Sequence, residues 1–125
     1  MKIKKHPLIN DENFPDEGVR GQVILWKFKK KILYWDLLKE AKEMGCRLAT
    51  LYEVIDYLKE RPMEGDEVDI VAAGLLWKCP NEIYTHPVAA GMRYDRDMNQ
   101  IDVTPEQTKY PWQDHRVFAL VMLTP

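Results

Sequence analysis

The chain has 125 residues, of which 46% are hydrophobic and 30% charged, and its formal net charge is −2. This size and composition are typical of one soluble globular domain and exclude a disordered or fibrous chain. No apolar run approaches the roughly 20 residues that a membrane-spanning helix needs, and no apolar segment of signal-peptide length follows the basic start. We therefore predict a single domain over residues 1–125, a cytoplasmic location and no membrane partner.

The charge is unevenly distributed along the chain. Residues 1–33 contain eight Lys or Arg and four Asp or Glu, whereas residues 62–125 contain five and ten. Because phosphate backbones are bound mainly by Lys and Arg, the acidic second half disfavours nucleic acid as a partner. The two cysteines, Cys46 and Cys79, are expected to be buried thiols, since disulfides are rare in cytosolic proteins.

The first half of the chain predicts one strand followed by two helices. Residues 1–22 read as irregular, because prolines and glycines interrupt any period. Apolar residues predict a strand over 23–28 and, at three- and four-residue spacing, a helix from about Tyr34 to Met44 that Gly45 ends. A second amphipathic helix is predicted from Leu51 to about Glu60, before Pro62.

The start of the second helix carries a capping box. Thr50 and Glu53 have the spacing at which the Thr hydroxyl accepts the N–H of Glu53 and the Glu carboxylate accepts the N–H of Thr50. We expect Thr50→Ala to cost about 1 kcal/mol of stability, the usual contribution of an N-cap. From the sequence, Glu53→Ala is expected to cost less stability than Thr50→Ala.

The second half predicts strands and loops. A loop is expected at 63–67, and strands are predicted over residues 71–77, 84–94, 100–103 and 116–123. The order of strand, two helices and further strands predicts an α+β domain. In it, two adjacent helices pack on a small, mostly antiparallel sheet with long inter-strand loops.

One segment resembles a known family. The residues from Ile32 to Ala41, followed by Gly45-Cys46-Arg47-Leu48-Ala49-Thr50 and Glu53, resemble the T-W-E-E-A … G-x-R-L-P-T-x-x-E segment of bacterial and phage C-type-lectin-like domains. That group includes formylglycine-generating-enzyme-like domains and the diversified binding proteins of some phages. The resemblance implies a C-type-lectin-like scaffold that displays a long loop region between strands.

The chain departs from this family at several positions. Ala49 replaces the usual Pro, and the final strand has no cysteine, so the family's common disulfide cannot form. Trp112-Gln113-Asp114 is similar to the W-N-D calcium motif of carbohydrate-binding members, but no E-P-N partner exists. Calcium-dependent sugar binding is therefore not expected.

A second possible cation motif is incomplete. Asp95, Asp97 and Asn99, with Glu106, reproduce oxygen-bearing positions of a calcium loop. Gln100 replaces the glycine that allows the sharp turn, and Pro105 prevents an exiting helix. A β-hairpin with an Asp/Asn turn fits this segment better, and we predict no metal or cofactor.

An enzymatic alternative uses a different set of residues. Cys79, His86, Asp114 and His115 include the residue types of a cysteine nucleophile, an imidazole base and an orienting carboxylate. No nucleophile-elbow or helix-start signature surrounds Cys79, so a packed thiol is the simpler interpretation. A small hydrolase or transferase using His115 and Asp114, with or without Cys79, is kept as the alternative.

Aromatic and polar residues collect in the second half. Trp, Tyr and Arg often dominate binding surfaces, because they offer large rigid contact areas or several hydrogen bonds. We therefore predict a non-enzymatic binding module that recognises a protein or a small polar ligand through the loop-rich second half, in the loops after Trp77. Its predicted binding residues are Trp77, Arg93, Tyr94, Trp112, His115 and Arg116. A phage or host regulatory protein that masks a partner is a further alternative, and a homo-oligomer is left open.

Overall fold

Strands make up most of the regular structure. The computed structural model describes residues 1–60, 68–80 and 85–123. Within these ranges the elements follow in the order β1 (Lys2–Lys5), β2 (Val23–Trp26), α1 (Tyr34–Glu43), β3 (Cys46–Leu48), α2 (Leu51–Glu60), β4 (Val68–Trp77), β5 (Val88–Asp95), β6 (Gln100–Gln107) and β7 (Val117–Met122). Neither helix is both long enough and apolar enough to cross a membrane.

The strands form one mixed sheet. Their order is β1-β6-β5-β4-β7-β2, and β3 also pairs with β7. The pairs β1/β6 and β4/β7 are parallel, and the other pairs are antiparallel. Val121 of β7 faces both Val23 of β2 and Arg47 of β3, so β2 and β3 flank β7 on opposite sides. The last strand therefore joins elements from both halves of the chain.

Both faces of the sheet carry a hydrophobic core. Ile70 and Ala72 of β4 belong to a first core with α2, whereas Val71 and Ala73 belong to a second core with α1. Because successive residues of a strand point to opposite faces, α1 and α2 cover opposite faces of the sheet. The first core also takes up residues that precede β2, namely Ile9 and Phe14.

Both predicted helices are confirmed. α1 buries Leu37 and Ala41 on one face, and Gly45 follows it with φ 74°, a left-handed conformation that glycine adopts without strain. α2 begins at Leu51 and reaches Glu60, as its apolar spacing predicts. The local spacing of apolar residues was sufficient to locate both elements.

The capping box is also confirmed, and Glu53 has a larger role than a cap. The N–H of Glu53 donates to Thr50 Oγ1 at 3.2 Å, and the N–H of Thr50 donates to Glu53 Oε1 at 3.0 Å. The same carboxylate accepts two bonds from the Arg47 guanidinium, both at 2.8 Å, and one from the N–H of Gly21 at 2.6 Å. Glu53 is only 2% exposed. We therefore reverse the sequence-based ranking and expect its removal to cost more than that of Thr50.

The ionisation of Glu53 reflects these contacts. Burial by itself disfavours the charged carboxylate, but the hydrogen bonds from Arg47, Thr50 and Gly21 outweigh burial and lower the pKa of Glu53. The side chain is thus an ionised, fully bonded link between α2, β3 and the chain before β2.

The predicted fold class is wrong. Over the described residues the domain is mostly sheet, with 40% strand and 18% helix, and these strands form a mixed seven-stranded sheet. A small, mostly antiparallel sheet under two adjacent helices, as in C-type-lectin-like domains, is not what forms. β3 separates the helices along the chain, and they lie on opposite faces. The sequence did not reveal β1 and β3, because Lys2–Lys5 has a single apolar residue and Cys46–Leu48 is too short to show a period.

The other strands agree with the sequence to within a few residues. β2 ends at Trp26, two residues earlier than expected, and β6 continues to Gln107, four residues beyond the predicted end. β5 begins at Val88, whereas residues 81–84, where the prediction placed its start, lie outside the described residues. The predicted loop at 63–67 also lies outside them.

Candidate functional site

A groove of about 640 Å³ lies on the part of the sheet that α1 leaves uncovered. Asp69 and Val71 lie two residues apart on β4, so they share a face, which is that of the second core. α1 and the other residues of the second core cover Val71 and Ala89. On the same face, β1, β6 and the Arg93 end of β5 remain exposed. We call this site the open-face groove. Besides Lys5 at its rim, its polar side chains are Lys4, His6, Asp69, Arg93, Asp102, Thr104, Glu106 and Arg116.

Strand pairing brings four of these residues into one row. Lys4 faces Asp102, Asp102 faces Arg93, and Arg93 faces Asp69, across the strands β1, β6, β5 and β4. Directly opposite residues of neighbouring strands lie on the same face. The row therefore alternates between positive and negative side chains across the open face.

Glu106 forms one wall of the groove. Its Oε1 accepts a bond from Trp112 Nε1 at 2.9 Å and one from Arg116 Nη1 at 2.7 Å. Its other oxygen, Oε2, lies over Gly91, where a side chain on β5 would collide with it. The Arg116 Nε is buried and makes no hydrogen bond within the described part of the chain, so this guanidinium has further bonding capacity.

Trp112 supports this wall from the second core. Trp112 is 4% exposed, and its ring packs edge-to-face on Phe118, with 5.6 Å between the ring centroids. Its backbone exchanges hydrogen bonds with Ile32 at 2.9 and 3.1 Å. The indole thus holds Glu106 in place, and its burial prevents direct contact with a ligand.

The chain that follows β1 forms another side of the groove. The N–H of His6 donates to the carbonyl of Val103 at 2.8 Å, which extends the pairing with β6. The N–H of Leu8 donates to His6 Nδ1 at 3.1 Å. In a neutral ring the proton is then on Nε2, which makes this nitrogen a donor. Thr104 lies on the same face of β6, between Asp102 and Glu106.

The structure separates the residues predicted to bind a ligand. Arg93 and Arg116 line the open-face groove, and Trp112 lies beneath it. Tyr94 is 1% exposed in the first core, on the opposite face. Trp77 is half-buried against that same core, and His115 is exposed outside the groove lining.

Sequence reasoning missed most of the groove. The missed side chains are Lys4, His6, Asp69, Asp102 and Thr104, and Glu106 was considered only as part of the calcium motif. One signal was available, because Asp102, Thr104 and Glu106 alternate with other residues along β6 and so form the polar face of a strand. The contribution of β1 had no such signal.

The residues of the enzymatic alternative lie elsewhere, and of the calcium motif only Glu106 lines the groove. Cys79 is buried, and Asp114 is exposed beside His115. The segment from Asp95 to Asn99 is the turn of the predicted hairpin, which is confirmed: β5 and β6 are antiparallel, and the N–H of Met98 donates to Asp95 Oδ1 at 3.2 Å. Among the described residues, no group of three or more His, Cys, Asp or Glu side chains could hold a metal ion.

Comparison with protein-family models, with curated proteins and with solved structures finds no match to this chain. Membership of the C-type-lectin-like family therefore stays a prediction from a short segment, although the fold that it implied is corrected above.

Proposed function

We propose that the protein is a non-enzymatic binding module that holds a small polar ligand in the open-face groove. The observation that carries the proposal is the row of four charged side chains across four adjacent strands on an uncovered sheet face. The groove volume, about 640 Å³, is that of a typical small-molecule site. A polar lining of this size suits a ligand bound through hydrogen bonds and charges.

The supporting structure favours recognition of a defined ligand. The four charged side chains of the row stand on strands rather than on loops, so their backbone positions are fixed by the sheet. Glu106 is further held by Trp112 and Arg116. Side chains that are already positioned lose less entropy when a ligand binds.

The location of the protein belongs to the same proposal. Cys46 and Cys79 are both buried thiols that form no disulfide, and thiols of this kind persist in a reducing compartment. A cytoplasmic protein that binds a polar small molecule is consistent with this. The charges lining the groove are mixed in sign, which disfavours nucleic acid as the ligand.

Amide NMR titrations test the proposal. The probes, added one at a time at constant ionic strength, are sodium phosphate, sodium acetate, methylammonium chloride, glucose and alanine. We expect at least one probe to shift the amide signals of Gly91, Arg93 and Thr104, while the signals of α1 stay in place.

Two arginine variants form a matched pair for this experiment. Arg93→Met removes a charge from the groove, whereas Arg96→Met removes one from the exposed β5–β6 turn outside it. Binding should weaken on the order of tenfold or more in Arg93→Met, about 1.4 kcal/mol, and stay unchanged in Arg96→Met. The proposal is wrong if no probe moves the groove signals, or if the two variants bind equally well.

A further inference from the structure

We infer that the ligand of the open-face groove is a small zwitterion, an amino acid or a short peptide with a free ammonium and a free carboxylate group. This inference rests on the proposed function and names its ligand class. It follows from the balance of charges in the groove, from their alternation and from the hydrogen-bonding groups left at each end.

The charges of the groove cancel. Its cations Lys4, Arg93 and Arg116 are matched by its anions Asp69, Asp102 and Glu106. Lys5 lies at the rim, but its Nζ is 5.6 Å from the centre of the Tyr52 ring, which packs against the first core on the other face. An ion of either sign therefore meets about as much repulsion as attraction, and the groove gives neither sign a long-range advantage.

The alternation of sign favours a ligand with two opposite charges. Neighbouring strands are about 4.8 Å apart, so each charged residue of the row stands directly beside a residue of opposite charge. A ligand with one charge can pair with one of these groups only by approaching a like charge beside it. A ligand with both charges pairs with two neighbouring groups of opposite sign at once. The groove therefore discriminates between a zwitterion and an ion with a single charge.

Donors suited to a carboxylate lie on the β1 side of the groove. Lys4 contributes an ammonium group, and His6 presents an Nε2–H because its Nδ1 already accepts the N–H of Leu8. The hydroxyl of Thr104, exposed on β6 between these residues and Glu106, adds a third donor. Together they form a set of donors for the two oxygens of one carboxylate group.

An acceptor suited to an ammonium group lies next to these donors. Both hydrogen bonds described for the Glu106 carboxylate end on Oε1, from Trp112 and Arg116. Oε2 makes none within the described residues and lies over Gly91, on the floor of the groove. The ligand ammonium group therefore binds Glu106 Oε2, while the ligand carboxylate binds Lys4, His6 and Thr104.

The test compares zwitterions with their singly blocked forms. Alanine and glycylglycine are titrated against their N-acetyl derivatives, which lack the ammonium charge, and against their amides, which lack the carboxylate. The readout is the dissociation constant from the amide signals of Gly91 and Thr104. We expect each blocked form to bind at least on the order of tenfold more weakly than its parent.

Two variants assign the two ends of the ligand. Glu106→Gln should remove the preference for the zwitterion over its N-acetyl derivative. Lys4→Met should remove the preference for the zwitterion over its amide. Glu12→Gln and Lys29→Met change exposed charges outside the groove and should keep both preferences. Because Lys4 is exposed on an edge strand, its variant remains informative even if Glu106→Gln weakens folding.

The outcomes separate this inference from the proposed function. If a blocked form, phosphate or acetate binds the groove as tightly as the zwitterion, the ligand class is wrong and the binding function stands. If none of the probes moves the groove signals, the proposed function fails as well. The inference is supported if the zwitterion binds more tightly than both blocked forms, and if Glu106→Gln and Lys4→Met each remove the one preference assigned to them.

Discussion

At the scale of single residues, Glu53 connects the most local feature of the chain to its tertiary structure. The capping bonds with Thr50 involve residues three positions apart, whereas the bond to Gly21 spans 32 positions. A cap was evident from the spacing of Thr50 and Glu53. The burial of the same carboxylate beneath the chain preceding β2 was not evident, because nothing in the local sequence specifies the distant donor.

This difference predicts the relative cost of two substitutions. Thr50→Ala should lower the free energy of unfolding by about 1 kcal/mol, through loss of one capping bond. Glu53→Ala should lower it by about 3 kcal/mol, because it removes four hydrogen bonds and leaves the partly buried Arg47 without its counter-charge. Urea melts of the two variants give both values. If Thr50→Ala proves the more costly, the carboxylate is only a cap.

The lowered pKa of Glu53 predicts a dependence of stability on pH. A carboxyl group whose pKa is lower in the folded than in the unfolded state stabilises the fold above the unfolded pKa, about 4.3, and this contribution is lost as the pH falls through the folded pKa. The difference in urea midpoint between the parent and Glu53→Gln should therefore be large at pH 6 and shrink towards pH 3. Glu12→Gln, at an exposed site, serves as the control. A difference that stays constant over this range would rule out the linkage.

At the scale of elements, β3 and β4 approach each other closely at Gly74. The N–H of Gly74 donates to the carbonyl of Ala49 at 2.8 Å, just after β3. A Cβ atom on Gly74 would lie 2.6 Å from backbone atoms of Ala49 and Leu48. Neither strand can move without disturbing its pairing, so a side chain has no room at this position.

A comparison of two glycines tests this close approach. Gly74→Ala should lower the free energy of unfolding by about 2 kcal/mol or more, because the added methyl group meets rigid backbone. Gly91→Ala should cost less, about 1 kcal/mol, because its methyl group meets the end of the Glu106 side chain, which can shift at the expense of its bonds to Trp112 and Arg116 without moving any backbone. Urea melts decide the order. Equal costs would mean that the chain around Ala49 adjusts more easily than the structure indicates.

The candidate site also belongs to the scale of elements. Sequence reasoning assigned recognition to loops after Trp77, on the general ground that loops carry function. The groove instead uses the polar faces of strands, among them Asp102 and Thr104 of β6. Arg93 and Arg116 could be selected from composition, because Arg is common in binding sites. Their neighbours depend on which strands pair, and composition does not contain that information.

At the scale of the whole molecule, the chain preceding β2 is part of the sheet and of the first core. β1 adds an edge strand to β6, Phe14 is fully buried, and the Tyr52 hydroxyl donates to the Phe14 carbonyl. The prediction of irregular structure over residues 1–22 was wrong at β1, although most of the segment has no regular element. The alternating row of the groove depends on this edge strand, since Lys4 is its outermost member.

The sequence by itself determined the features that depend on neighbours three or four positions apart. These are the two helices, the capping box, the stop at Gly45 and the hairpin turn between β5 and β6, because hydrogen bonds and apolar spacing within one element decide them. Tertiary structure decided the strand order, the parallel pairs β1/β6 and β4/β7, the burial of Glu53 and the meeting of Lys4, Asp102, Arg93 and Asp69. The physical reason is that a strand obtains its hydrogen bonds from a partner that can lie anywhere in the chain, so its own residues specify a face but not a neighbour.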